Sequence, residues 1–174
     1  MGGISVLFLM GLLSFIYIFV ITFIAIITFY TLISYIFESI SIVSMSKNQK
    51  YKNANTGWIP FYNKYILGKI GNSKPLGITL FITTLISTIT IILFFVFKEP
   101  QPVLIIIFLL STLITFILDI ILSHKIFNKY SKNFKDVMTA LSILSLGFLR
   151  PIFLFIIRNK KENIWVNMNH YGTI

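Results

Sequence analysis

The stretch MGGISVLFLMGLLSFIYIFVITFIAIITFYTLISYIF, from Met1 to Phe37, contains no charged side chain. At about 1.5 Å per residue, a helix over this stretch is longer than the roughly 30 Å hydrocarbon core of a bilayer. Its start lacks the basic residues and the small-residue cleavage site of a signal peptide, so we expect it to remain as a membrane anchor. The first segment therefore predicts an integral membrane protein.

Three more long apolar segments follow in the 174-residue chain, which is 56% hydrophobic and only 11% charged. Soluble domains are about 25% charged, so this composition does not fit a soluble surface. We predict a single all-α domain over residues 1–174, an integral membrane helical bundle of about four transmembrane helices. The predicted spans are 4–35, 76–97, 103–122 and 137–157. The first helix can extend beyond its span, past Glu38 toward Lys47.

The formal net charge of +10 is concentrated in the predicted connections. Residues 47–75 carry six lysines and residues 124–135 carry four, whereas the turn 98–102 has one lysine and one glutamate. The positive-inside rule makes both basic connections cytoplasmic, so this multi-pass chain in the cell membrane has both termini outside. The basic residues at the start of the polar tail 158–174 conflict with this orientation, because the same rule would place them in the cytoplasm. That conflict disappears in an alternative, in which 137–157 is a re-entrant hairpin broken at Arg150–Pro151.

The residue inventory limits the chemistry that the chain can perform. It has no cysteine, and its two histidines, His124 and His170, are too few for a metal site, so we predict no metal and no cofactor. The excess of lysine fits contact with anionic lipids better than contact with nucleic acid, which we do not expect as a partner. No catalytic motif is recognisable, and the sequence does not predict an enzyme.

The most specific string is GWIPFYNKY, residues 57–65. If Trp58 to Ile70 is helical, its apolar and aromatic residues share one face and its lysines lie elsewhere, as in an amphipathic helix at the membrane interface. Gly68, Gly71 and Pro75 are expected to break this helix before the next span. The string is either a simple surface linker or an element that binds lipid or a partner. The candidate binding residues are Trp58, Phe61, Tyr62, Asn63, Lys64 and Tyr65.

This string resembles the W-x-x-I-P-x-Y-N loop after the first helix in a family of small bacterial polytopic membrane proteins of unknown function. The resemblance covers roughly residues 53–155, and it continues with a Gly-Lys-Ile-Gly run and the Leu149-Arg150-Pro151 string. Here Trp58 directly precedes Ile59, a spacing that departs from the family pattern. The resemblance implies a small helical bundle and does not indicate a function.

Two charged residues lie well inside predicted spans, Asp119 in the third and Arg150 in the fourth. Charges at such depth are costly and are candidates for function. If the fourth segment crosses the membrane fully, helical rise separates the two residues by about 15 Å in depth, too far for direct contact. We therefore expect Arg150 to face water, the headgroups or a helix carbonyl. The expected partners of Asp119 are Lys132, Lys135 and His124.

Hydroxyl side chains recur at helical spacing in the second and third segments, and the intramembrane candidates among them are Thr83, Ser87 and Thr115. Such residues let helices approach closely and form hydrogen bonds, each worth about 1 kcal/mol or less. A polar path through an oligomer is the alternative interpretation.

Three functions compete. The sequence favours a non-enzymatic interaction or regulatory subunit of the immunity type, which would bind another membrane protein. The alternative is a homo-oligomeric channel or small transporter. A membrane-embedded enzyme acting on lipid comes third.

Overall fold

The computed structural model describes residues 2–97 and 102–160, and within these ranges the regular structure is entirely helical. The elements are α1 (Gly2–Asn48), a 3₁₀ turn (Ala54–Trp58), α2 (Tyr62–Ile70), α3 (Lys74–Val96), α4 (Pro102–Tyr130), a second 3₁₀ turn (Lys132–Phe134), α5 (Lys135–Leu144) and α6 (Arg150–Ile157). The predicted all-α class is confirmed. Most of the predicted turn 98–102 and of the predicted tail 158–174 lies outside the described residues.

Three of these helices, α1, α3 and α4, are long and apolar enough to cross a membrane. The described chain is thus a membrane protein with transmembrane helices. As expected, α1 continues past Glu38 and ends at Asn48. The prediction for 124–135 as a connection is wrong in its first part, because α4 runs on to Tyr130 and includes two of its lysines.

The chain divides into two compact units, residues up to Ile36 and residues from Phe37 onward. In the first unit the described side chains are mostly exposed, and the most apolar window of the helix is 0% buried. The second unit holds the core, which α1 enters with Ile42 and Met45 and α4 with Ile126 and Phe127.

Three helices end in the same capping motif. Lys50, Asn72 and Leu146 adopt positive φ angles of 57°, 52° and 51°, each two positions beyond the last residue of α1, α2 and α5. In each case the next residue donates its N–H five positions back, as Ser73 does to the Gly68 carbonyl at 2.8 Å. This Schellman arrangement satisfies carbonyls that the helix leaves free and stops the helix sharply.

Helix α2 packs against α3 at a contact between two glycines. A Cβ on Gly68 would lie 2.4 Å from the Cα of Gly77, and a Cβ on Gly77 would lie 2.7 Å from the Cα of Gly68. The prediction that Gly68 breaks the helix is therefore wrong, since Gly68 is helical and α2 ends at Ile70. Its missing side chain allows two backbones to touch.

The predicted continuous helix over 137–157 is wrong, because the chain reverses between α5 and α6. Gly147, with φ of 87°, lies at this reversal beside the ring of Phe116 in the middle of α4. After α6, Lys160 Nζ reaches Ser131 Oγ at 3.4 Å, so the chain leaves at the end of α4 where it entered. The segment has the shape of the re-entrant hairpin, with a depth of about 22 Å along α4.

Candidate functional site

Four ionisable side chains from four helices meet inside the second unit. We call Glu38 of α1, Lys64 of α2, Asp119 of α4 and Arg150 of α6 the charge cluster. Lys64 Nζ lies 2.8 Å from Glu38 Oε1 and 3.5 Å from Asp119 Oδ1. Arg150 Nη2 lies 3.3 Å from Glu38 Oε1, and its Nη1 lies 2.8 Å from Asp119 Oδ2. Each carboxylate therefore contacts both cations.

The charge cluster is largely closed to solvent and has no net formal charge. The side chains of Arg150 and Glu38 are 4% and 9% exposed, and those of Lys64 and Asp119 are 15% and 17% exposed. A buried ion costs several kcal/mol in lost hydration, which close opposite charges and hydrogen bonds can offset. The two acids and the two bases compensate one another's charge, while Asp119 Oδ1 is buried without a hydrogen bond and has only the 3.5 Å contact with Lys64.

Local structure explains why Arg150 points into the cluster. It is the first residue of α6, directly after the reversal, and Pro151 follows where a missing N–H is tolerated at a helix start. Arg150 Nε also donates to Ser123 Oγ, and Ser123 Oγ donates to the Asp119 carbonyl at 2.6 Å. Because Asp119 and Ser123 are four residues apart on α4, their side chains lie on the same face of that helix.

The expected separation of Asp119 and Arg150 is wrong. It assumed one straight helix through 137–157, whereas the reversal places the start of α6 at the level of Asp119. Arg150 thus contacts carboxylates rather than water, headgroups or a helix carbonyl.

The expected partners of Asp119 are also wrong. Its carboxylate contacts Lys64 and Arg150. His124 Nδ1 instead lies 2.9 Å from Thr139 Oγ1, and it joins α4 to α5.

The predicted binding string 58–65 is divided between different surroundings. Lys64 belongs to the charge cluster, and Asn63 is buried with its Oδ1 unpaired. Trp58 is 45% exposed, while Phe61, Tyr62 and Tyr65 are partly exposed. The helix begins at Tyr62 rather than Trp58, and its apolar face, with Ile66, Leu67 and Ile70, is buried in the core rather than free.

The hydroxyl candidates mostly bond within the bundle. Ser87 Oγ of α3 donates to Ser111 Oγ of α4 at 2.9 Å, a direct bond between two spanning helices. Thr83 Oγ1 donates to the Leu80 carbonyl of its own helix at 3.1 Å. Thr115 Oγ1 is buried with no hydrogen-bond partner. These positions fit helix packing, with Thr115 as the exception.

The last turns of α4 contact the link between α2 and α3. Lys129 Nζ donates to the Ile70 carbonyl at 3.0 Å, where α2 ends, and to Asn72 Oδ1 at 3.2 Å. Lys125 Nζ donates to Ser73 Oγ at 2.6 Å. A cation near a helix C-terminus is stabilised by the carbonyls it faces. These two lysines hold the link between α2 and α3.

Sequence reasoning missed Glu38 and Ser123 as members of the site, and it named Lys64 as a candidate binding residue but not as a partner of the intramembrane charges. Glu38 ends the uncharged stretch, so a charge directly after a long apolar run was the available signal. Lys64 is hidden among other lysines, and Ser123 among other hydroxyls. Nothing in the sequence marks either residue as a partner of Asp119 or Arg150.

No protein-family model, curated protein or solved structure matches this chain. The family resemblance of the 57–65 string stays a prediction. In residues 2–97 and 102–160, no group of three or more His, Asp or Glu side chains could hold a metal ion.

Proposed function

We propose that the protein is a non-enzymatic interaction or regulatory subunit of the cell membrane, which binds another membrane protein. The observation that supports this proposal best is the neutrality of the charge cluster. Each acid contacts both bases, so the polar groups stabilise the fold rather than present a reactive group. A structural role of this kind fits a subunit whose surface, not its interior, carries the function.

The hydroxyl contacts weigh against a pore through this chain. Ser87 and Ser111 bond to each other, and Thr84, Thr88 and Thr90 donate to carbonyls four residues back. A polar path needs hydroxyls that are free to face water. A channel built from several copies therefore remains the second candidate, carried by the unpaired Thr115 hydroxyl.

Native mass spectrometry of the full chain, purified in mild detergent, distinguishes these functions. We expect a complex of fixed stoichiometry with one other membrane protein, which re-forms when both components are purified separately and mixed. A stable homo-oligomer without that second protein would support the channel instead. A monomer under every mild condition would contradict both.

We also propose an orientation. Asn48 Nδ2 donates to the Arg158 carbonyl at 3.2 Å, so the end of α6 lies beside the end of α1 and close to both basic connections. With these basic groups in the cytoplasm, as the positive-inside rule favours, residue 160 is cytoplasmic as well. The chain then crosses the membrane three times, the hairpin enters from the cytoplasm, and the N-terminus and the connection between α3 and α4 are outside.

Single cysteines test the orientation cleanly, because the chain has none of its own. In whole cells, an impermeant thiol reagent should label Phe97→Cys and leave Asn53→Cys, Lys132→Cys and Lys160→Cys unlabelled until the cells are opened. Labelling of Lys160→Cys from outside, with Lys132→Cys still protected, would show a full fourth crossing and refute the hairpin.

A further inference from the structure

A cationic cavity of about 270 Å³ lies between the end of α1, the following loop, α2 and the start of α3. Lys52, Lys69 and Lys74 line it. None of the three forms an ion pair with a carboxylate in the described ranges, and residues 47–75 contain no acid at all. Three lysines, two of them exposed and Lys69 with its Nζ 4.6 Å from the centre of the Tyr65 ring, thus line one space in which no carboxylate of residues 2–97 and 102–160 balances them.

Ser46 supplies a second observation at the same cavity. The whole residue is 0% exposed to solvent and lines the cavity, yet its Oγ has no hydrogen-bond partner. A buried hydroxyl without a partner costs about 1–3 kcal/mol, so such groups normally have one. An oxygen-rich anion in this cavity would provide an acceptor for the Ser46 hydroxyl.

An open apolar cleft of about 410 Å³ adjoins the cationic cavity, and Tyr62 lines both. Ile59 and Phe61 form part of its wall, and Phe81 and Leu85 of α3 form another part. Leu85 lies about 16 Å further along the α3 axis than Lys74. The cleft therefore extends away from the lysines along a membrane-spanning helix.

The backbone at the cleft is strained. Phe61 has φ of 64° and ψ of −46°, and Tyr62 N donates to the Pro60 carbonyl at 2.7 Å. This γ-turn with positive φ is the rare, strained form. Strained backbone in a native fold is often found at binding sites. Here the strained turn places the Phe61 ring in the wall of the cleft.

We propose that the cavity and the cleft together bind one anionic glycerophospholipid. Its phosphate accepts hydrogen bonds from the lysines and from Ser46, and one acyl chain lies in the cleft. The adjacent cationic and apolar spaces match the two parts of such a lipid, in the order that a cytoplasmic leaflet presents them. The inference rests on the proposed orientation but not on the proposed role as an interaction subunit.

Native mass spectrometry of the full chain in detergent measures this binding directly. The protein is offered dioleoylphosphatidylglycerol and dioleoylphosphatidylcholine in equal amounts, and we expect one phosphatidylglycerol to be retained preferentially. Substituting Gln for Lys52, Lys69 and Lys74 together should reduce its retention by about tenfold or more, since each lysine near an anionic lipid contributes about fivefold. Equal retention of the two lipids by the native chain would overturn the proposal.

A matched triple variant separates a site from general surface charge. Lys47, Lys132 and Lys135 lie outside the cavity, and changing all three to Gln removes the same charge. We expect this control to retain phosphatidylglycerol within about twofold of the native chain, a change too small for the loss of even one specific lysine contact. An equal loss in both triple variants would overturn the proposal. The triple variant Lys52→Arg/Lys69→Arg/Lys74→Arg should keep the binding, since it retains the positive charge at all three positions.

The acyl chain is tested at Leu85. Leu85→Trp fills the cleft and should reduce phosphatidylglycerol retention, whereas Ile89→Trp, at an exposed position outside the cleft on the same helix, should not. Inorganic phosphate in excess should leave the lipid bound. Complete displacement by phosphate, or unchanged retention in Leu85→Trp, would show a site for small anions and overturn the lipid assignment.

Discussion

Arg150→Met removes one of the two cations of the charge cluster and leaves both carboxylates in place. The methionine side chain fills much of the same space, so the change is mainly one of charge. Lys64, 2.8 Å from Glu38 and 3.5 Å from Asp119, is then the one cation of the cluster that compensates both carboxylates. The cluster acquires one uncompensated negative charge in a region that is almost closed to solvent.

Removing one partner of a buried ion pair typically costs about 3–5 kcal/mol, because the charge left behind is no longer compensated. Two opposite-sign contacts are lost here, at 3.3 Å to Glu38 and 2.8 Å to Asp119, together with the bond to Ser123. We expect Arg150→Met to lower the free energy of unfolding by about 3–5 kcal/mol. The double variant Arg150→Met/Asp119→Leu restores neutrality around the Glu38–Lys64 pair. It should lose about 1–3 kcal/mol less than the sum of the two single losses, the range of coupling between contacting residues.

Unfolding by sodium dodecyl sulfate in mixed micelles, followed by circular dichroism, gives these free energies. Arg158→Met is the matched control, because Arg158 caps its own helix at the Phe155 carbonyl and lies outside the cluster. Arg158 is partly buried and its guanidinium lies 3.4 Å from the centre of the Phe155 ring, so its loss should cost about 1 kcal/mol, well below that of Arg150→Met. If Arg150→Met is as stable as the native chain, or if the double variant loses the full sum of both single losses, the paired cluster does not hold the fold.

Two further predictions concern helix packing. Gly68→Ala should lower the free energy of unfolding by about 1–3 kcal/mol, since the new Cβ would lie 2.4 Å from the Gly77 backbone, which cannot rotate away. Gly11→Ala is the control, because a Cβ there would have no neighbour within 4 Å, and it should leave stability unchanged in the same micelle titration. Ser87→Ala and Ser111→Ala should each cost about 0.6 kcal/mol and should be non-additive when combined, because one bond joins the two residues; strict additivity in that double-mutant cycle would contradict the bond.

The sequence predicts the spanning helices well because their signal is local. An uncharged run before Glu38, and apolar runs in α3 and α4, are sufficient to place helices in a bilayer. Helix ends are harder, since α4 continues into polar residues such as Lys129 that are stabilised by contacts with Ile70 and Asn72. Those contacts lie 57 and 59 residues apart in the chain and leave no local pattern.

The charge cluster was not predicted because one segment, 137–157, was wrongly predicted to be a continuous helix. Residues 137–157 are as apolar as a transmembrane span, and only Gly147 and Pro151 indicate an interruption of the helix. The reversal depends on Leu146 adopting a left-handed conformation, which leucine seldom adopts, so no residue preference predicts it. Once the reversal is known, the pairing of Asp119 with Arg150 follows from their equal depth.

The energies indicate why the chain reverses there. A leucine in the left-handed conformation costs about 1–2 kcal/mol. A continuous helix avoids that strain, but it separates Arg150 from Asp119 and leaves each charge inside the bilayer at about 2.5–3.5 kcal/mol. Pairing the two charges thus outweighs the strain at Leu146. Glu38 and Lys64 then complete a neutral cluster that joins α1 and α2 to α4 and the hairpin. The short hairpin and the charge cluster therefore stabilise each other, and a variant that disrupts either one should destabilise both.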